Sequence, residues 1–444
     1  MILHLNARDR KLCRAMIAIA VPLILSNILQ QFYNTVDAFV LGHYATQEDF
    51  AAIGIASSAM NLFLFAIIGS CTGLSVLFAQ CYGSRDFRRF RNEHFHALAI
   101  GLAATLCLSA AALAILDPLL RILQVPPELH SRVATYLTIV LAGLPASFLY
   151  NLYSAILRAV GRTRVILFIL CLSVAVNLVL DLYTVRTLGL GITGAALATV
   201  VSQCLSACLG FAAPRKMYPA LLFRKKDCCW NRARGQRTLR FACVTAFHQS
   251  GLYLGKLLVQ AVINSAGTPV IMAYTATTRI EGFANSFGDS GAAATSVVTA
   301  QACGARRHDD VQASFRMSLL LLSLLGLACS AVLYATADYT IGLLVDPSYT
   351  EAYTNGVGYL KAVACYYVFC FTGNTFAGWF DGIGRITIPV AGACSHISLR
   401  IVLSWLFLPS LGLPAVAHAT GIGWIWVNLF WGWIKRTSRR KAQT

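Results

Sequence analysis

Charge is scarce in this chain of 444 residues, and acid scarcer still: 18 Asp and Glu stand against 36 Lys and Arg, and charged residues make up 12% of the sequence. A soluble domain carries about 25%, so an ordinary water-facing surface is excluded. Long polar segments are missing too. Only 214–238, PRKMYPALLFRKKDCCWNRARGQRT, is polar for more than a short loop, which leaves no extramembrane segment large enough to hold a catalytic site. No GxxxxGK[ST] phosphate loop occurs, which excludes ATP as a fuel of the P-loop kind. No filter-like repeat suggests a channel. The nine histidines are scattered without metal-ligand spacing, so neither an enzyme nor a cofactor is expected. Cysteine is plentiful, at 15, but most lie in apolar runs where Cys behaves as a small apolar residue. Cys204 and Cys208 share a helix face, but nothing nearby completes a metal site.

What fills the chain is apolar residue, 57% of the total. A spanning helix needs about 20 such residues in a row. Twelve stretches qualify: 15–41, 51–79, 93–117, 133–157, 165–185, 191–213, 239–266, 270–300, 314–345, 354–380, 386–409 and 412–434. They are apolar all round, without the alternation a barrel strand requires. The fold class expected is an all-α polytopic membrane protein. Of the 36 Lys and Arg, 29 fall on one side of this topology, in the N-terminal tail, the even-numbered loops and the C-terminal tail. Short loops rich in Lys and Arg stay in the cytoplasm, so both termini are expected inside a cell membrane. A basic chain also suits nucleic acid, but these charges are spread over loops between spans, and no nucleic-acid partner is expected.

The two halves resemble each other. AQCYGS (79–84) meets AQACGA (300–305) at a shift of 221 residues. Asn151 meets Asn374, Gly161-Arg162 meets Gly384-Arg385, and Leu188-Gly189-Leu190 meets Leu411-Gly412-Leu413 at 223. The repeat unit therefore has six spans, an even number, so both copies enter the membrane in the same orientation. The expected organisation is an N-terminal lobe over 1–213, a basic cytoplasmic linker over 214–238 and a C-terminal lobe over 239–444, the lobes related by a parallel pseudo-twofold axis. Two lobes with a cleft between them suit a transporter that alternates access by rocking, working as a monomer on small molecules in a lipid bilayer.

IAVPLILSNILQQFYNTVDAFVLGHY (19–44), AQCYGS, ILRAVGRTR (156–164), NLVLDLY (177–183), LGLGITGAALATVVSQ (188–203) and INSAGTPVIMAYTATTRIEGF (263–283) resemble, in order and spacing, the multidrug and toxic compound extrusion (MATE) transporters, including their bacterial DinF and NorM types. The resemblance covers essentially the whole chain. It implies export of small amphipathic organic cations in exchange for H+ or Na+. The related lipid-linked precursor flippases are the alternative. Such proteins typically carry two helices beyond twelve, and none fits here.

Ionisable groups at bilayer depth are costly and usually functional. Asp37 lies in the first stretch with Tyr33 one turn before it, and Asp181 in the fifth with Asn177 one turn before it. Residues four apart share a helix face. Asn151 and Thr199 are further polar candidates in the fourth and sixth. A carboxylate with amide and hydroxyl oxygens suits either a proton or Na+, and these residues leave that choice open. By resemblance, Asp37, Asn177, Asp181 and Tyr33, together with Thr199 and Asn151, are the ion-coupling residues, with Na+ possible at Asp37 and Asp181. At the repeat shift Asp181 meets Ser404 and Asn177 meets Arg400, so the acids are not duplicated. The second half instead carries Lys256, Arg279, Glu281, Asp289 and Arg400 at membrane depth. Glu281, Asp289, Arg400 and Lys256 form either a structural charge network or a substrate or gating site. The acidic positions of sodium-coupled members in the seventh and tenth helices fall near Leu252 and Cys370 here, and Asp381 is expected in a turn. Pro22, Pro145 and Pro389 are placed as helix kinks, and by resemblance Pro22 is the hinge of the first helix. Tyr366, Tyr367 and their aromatic neighbours in the tenth stretch suit either a cation or lipid. Trp424, Trp426, Trp431 and Trp433 in the twelfth suit a lipid interface.

Overall fold

A computed structural model describes residues 6–122, 124–224 and 227–440, without the side chains of 34–39, 41 and 438–440. Those residues form helices and no strand. The first copy comprises α1 (Ala7–Tyr44), α2 (Gln47–Gly83), α3 (Phe87–Ala114), α4 (Leu116–Ile122), α5 (Pro127–Ala142), α6 (Leu144–Ala159), α7 (Thr163–Asp181), a π-helical turn (Leu182–Thr187) and α8 (Gly191–Met217). The second comprises α9 (Arg232–Asn264), α10 (Thr268–Gly304), α11 (His308–Gly342), α12 (Thr350–Ala364), α13 (Tyr367–Gly382), α14 (Thr387–Leu411) and α15 (Leu413–Arg440).

The boundaries repeat along with the sequence. Both ends of α2 recur in α10 after 221 residues, and both ends of α6 recur in α13 after 223. The turns repeat as well. Gly161 and Gly384 have φ of 77° and 82°, Gly189 and Gly412 both 65°, and Arg85 and Arg306 57° and 56°. Glycine is needed in the first two pairs because a left-handed backbone strains other residues.

Among the described residues, eight helices are long and apolar enough to cross a membrane, or nine if the bent pair α5–α6 is one span. Twelve stretches were expected, and the others differ for identifiable reasons. α9 and α10 carry Lys256, Arg279, Glu281 and Asp289. α12 and α13, with 15 and 16 residues, are two pieces of one expected span. The fourth expected span is likewise broken at Gly143, with a bend of 42°. Pro145 begins α6 at this break. Yet the second copy breaks at the matching place, Tyr366, without a proline. The break therefore belongs to the packing, and Pro145 is accommodated by it. Pro389 is in the first turn of α14, where no intrahelical bond is lost, so it is not a kink. Pro22 is inside α1.

The packing divides the chain into two compact units, Leu25–Ser250 and Met1–Ile24 with Gly251–Thr444. This division differs from one placed within 214–238. α1 begins in one unit and ends in the other, and α9 does the reverse. Arg8 explains where α1 begins: its Nε donates to Asp310 of α11 at 2.6 Å. The first part of α9 is held to the Leu25–Ser250 unit by polar and backbone contacts. Thr238 donates to Glu93 at 2.9 Å and Arg237 to Gln80 at 2.8 Å. Asp227, Cys229 and Asn231 of the segment 214–238 contact α3. Arg91 donates to Asp227 at 2.8 Å, and Asn92 donates to the Cys229 carbonyl at 3.0 Å. The Asn231 amide donates to Nε2 of His96 at 3.0 Å, which leaves the ring proton on Nδ1 to donate to the Asn92 carbonyl at 2.7 Å.

Gly69 and Gly73 of α2, spaced as small residues are at close membrane-helix contacts, let α9 approach backbone to backbone. A Cβ at Gly69 would lie 2.5 Å from the Thr245 carbonyl oxygen, and one at Gly73 2.5 Å from that of Phe241. Replacing Gly73 with Leu should therefore cost about 1–3 kcal/mol through overpacking, seen as a drop of several degrees in the thermal midpoint of purified protein. Gly54→Ala, where a Cβ meets nothing within 4 Å, should leave the midpoint unchanged. Equal midpoints for the two variants would contradict the close contact.

Candidate functional site

In the Leu25–Ser250 unit, α7 presents a polar stripe one turn apart at Ser173, Asn177 and Asp181. All three are buried, Asn177 at 2% exposure and Asp181 at 1%. Small residues on α8 allow the close approach. Ser173 donates to the Ser202 carbonyl at 3.0 Å, and Ala195 and Ala198 are buried on the same helix. Asn177 is the unusual member. Neither its Oδ1 nor its Nδ2 meets a hydrogen-bond partner among the described residues. A buried amide left so is costly, and a carboxylate one turn away makes the pair a set of hard oxygen acceptors. Asp181 also ends the regular helix, because the π-helical turn starts at the next residue. Such turns frequently mark functional sites. The matching part of α14 stays regular through Leu411.

The other first-copy candidates are less tightly drawn in. Thr199 donates to the Ala195 carbonyl at 3.0 Å, and Asn151 to the Ser147 carbonyl at 2.8 Å. These are bonds within their own helices, and no described bond joins them to Asn177. Tyr33 is half-buried on α1. Asp37 falls on the same helix, but its side chain lies outside the described residues.

In the other unit the second-copy charges converge. Glu281 of α10 is buried. Its Oε2 accepts from Tyr359 of α12 at 3.2 Å and its Oε1 from Tyr367 of α13 at 3.4 Å. Arg400 of α14 donates from Nη2 to the Tyr274 hydroxyl at 3.2 Å, and the Tyr274 and Tyr359 rings meet edge to face at 5.8 Å. Arg400 and Lys256 both lie within electrostatic reach of Glu281, and Lys256 also reaches Asp289. Lys256 and Asp289 are exposed, as is Arg279. One carboxylate thus gathers α10, α12, α13 and, through the tyrosines, α14.

The three tyrosines were not singled out as partners of the acid. Tyr274 precedes Glu281 by two turns of one helix and so shares its face, which is a legible signal. Tyr359 and Tyr367 lie on either side of the α12–α13 break, and the sequence does not reveal that both turn inward. Tyr366 points elsewhere and bonds Nδ1 of His418 at 3.0 Å. Asp381 is in the last turn of α13 rather than in the loop. The aromatics of α15 do not all face outward. Trp431 is buried and donates to the Ile388 carbonyl at 3.1 Å, and Trp424 packs on Tyr367. Trp426 and Trp433 are exposed.

Apolar helices in a repeated arrangement, with polar sites enclosed among them, define a multi-pass membrane transporter. The chain belongs to the MatE family, the multidrug and toxic compound extrusion transporters, whose description matches residues 22–183 and again 245–406. The Bacillus subtilis protein named Probable multidrug resistance protein YpnP is 23% identical over 417 residues, spanning 93% of this chain and 92% of that one. The fold matches a MATE crystallised with MaL6 at a TM-score of 0.90, with 21% identity over 98% of this chain and 100% of the other. It also matches an outward-facing multidrug resistance MATE transporter at 0.89, with 21% identity and 97% of each chain covered.

The Glu281 network has a measurable worth. Tyr359→Phe should lower stability by about 1.5–3 kcal/mol, the range for a hydrogen bond to a charged group. In a double-mutant cycle with Glu281→Gln the two losses should be non-additive. Additive losses would show that the hydroxyl and the carboxylate do not interact.

Proposed function

We propose that this protein exports small amphipathic organic cations in exchange for H+ or Na+, by alternating access of two six-span lobes. The coupling ion binds in the first copy at Asp181 and Asn177, with Asp37 and Tyr33 of α1 and Thr199 and Asn151 as the further coupling residues. The observation that carries this reading is the buried Asn177 amide, without a hydrogen-bond partner among the described residues, beside a buried carboxylate at an α-to-π junction. A hard cation or a proton with water satisfies what the protein leaves open. The outward-facing relative supports a cycle between two states. Pro22, two residues before α1 passes between units, is where that helix bends when the ion binds, and the contraction displaces the substrate.

In this reading the protein is a monomer with twelve spans and both termini in the cytoplasm. The excess of Lys and Arg in alternate loops supports that orientation. Export of a lipid-linked pyrophosphate would recruit Arg400, but that side chain is engaged with Tyr274, and the cation exporter is the better fit.

Proteoliposomes carrying the full chain, with proton and sodium gradients imposed separately, test the assignment. Asp181→Asn should abolish gradient-driven transport of an organic cation, and Asn177→Leu should cut it at least tenfold. Undiminished transport by Asp181→Asn would remove the ion from this site.

A further inference from the structure

The two copies diverge at a matched position where the second copy has a charge and the first has an amide. α7 corresponds to α14, and the residues matching Asn177 and Asp181 are Arg400 and Ser404. The two matches to the family description begin at 22 and 245 and end at 183 and 406, both 223 residues apart. Ser404 is fully buried, and its hydroxyl has no hydrogen-bond partner among the described residues. The carboxylate that α7 supplies in the first copy is absent from α14, and α10 delivers one instead through Glu281. Its two oxygens face tyrosine hydroxyls of α12 and α13, so the second copy retains an enclosed carboxylate surrounded by oxygens. What distinguishes it is the cation already inside.

We propose that Arg400 is a tethered cation, a side chain that takes in the second copy the place a coupling ion takes in the first. The deduction rests on the ion site proposed above at Asn177 and Asp181. Three features of Arg400 fit the role. It occupies the matched position. It lies within electrostatic reach of Glu281 and is bonded to Tyr274, whose ring packs on that of Tyr359. Among the described residues it makes no ion pair within 4.0 Å, and its buried Nε has no hydrogen-bond partner. An arginine serving only to lock helices together would close a bidentate pair with the carboxylate. Arg400 is instead bonded to Tyr274, whose ring packs on that of Tyr359, the tyrosine that donates to Glu281. A copy so filled needs no ion from solution, and only the first copy then responds to the gradient.

The test is cation-dependent thermal stabilisation of the purified full chain, with NaCl replaced by choline chloride at constant ionic strength and a parallel series in pH. A ligand at about a hundred times its Kd raises the midpoint by roughly 3–6 °C. Arg400→Asn, which installs the first-copy residue, should show a second saturable stabilisation absent from the wild type. Adding Glu281→Gln should remove that second component, and Arg400→Lys, which keeps a tethered charge, should never show it. If Arg400→Asn folds and gains no component, or gains one that survives Glu281→Gln, the proposal is overturned. A second measurement does not depend on that variant folding. Glu281→Gln alone should leave the wild-type cation response intact, and its loss there would overturn the proposal. The reading on which this rests is separated by Asp181→Asn. Survival of the wild-type response in that variant sinks the first-copy ion site, whereas the Arg400 comparison still reports on the second copy.

Discussion

A carboxylate enclosed by apolar helices must find hydrogen bonds or a counter-charge inside the protein, because neither lipid nor packed side chains supply them. The two copies meet that constraint differently. Glu281 is met by tyrosines from two neighbouring helices and faced by Arg400 from a third. Smaller polar groups in the same unit are paired by the same logic. Buried Thr299 and Ser314 join α10 to α11 at 2.9 Å, and Thr295 bonds Ser318 between the same helices. In the first copy the Asn177 amide has no such partner among the described residues. The enclosed carboxylate of the second copy is thus partnered within the protein, whereas the first copy holds a buried amide open to a polar ligand.

The scaffold around these sites is duplicated closely. Helix ends, left-handed turns and the break between α5 and α6 recur between α12 and α13. These are features of backbone packing, and they tolerate different side chains, as Gly143 and Tyr366 at the matching breaks illustrate. The π-helical turn after Asp181 is not duplicated. It falls where the copies also differ in charge. One local departure from the shared backbone therefore coincides with the proposed ion site.

Much of this was legible beforehand because membrane helices follow from composition and the repeat follows from aligned turns. AQCYGS and AQACGA located the ends of α2 and α10, and Gly161 and Gly384 located matching turns. That Asn177 and Asp181 share one helix face followed from their spacing. What was illegible depends on tertiary packing. Lys256 and Glu281 could be listed as charges at depth, but the choice of Tyr359 and Tyr367 as partners is made by a break in the helix that no proline announces. The segment 214–238 reads as a basic cytoplasmic linker, and its charge pattern does not reveal that Asp227, Asn231 and Trp230 pack on Arg91 and His96 of α3. The crossing of α1 and α9 between units likewise depends on contacts such as Arg8 with Asp310, 302 residues apart, which local patterning does not reveal.

If one copy alone answers to the gradient, the number of ions moved with each substrate is set by one site. The most direct measurement is the coupling ratio in proteoliposomes, taken from the opposing substrate gradient at which net transport stops as the ion gradient is varied. One monovalent cation per substrate is the predicted ratio. A ratio of two would mean that the second copy also binds an ion from solution, and would contradict the account.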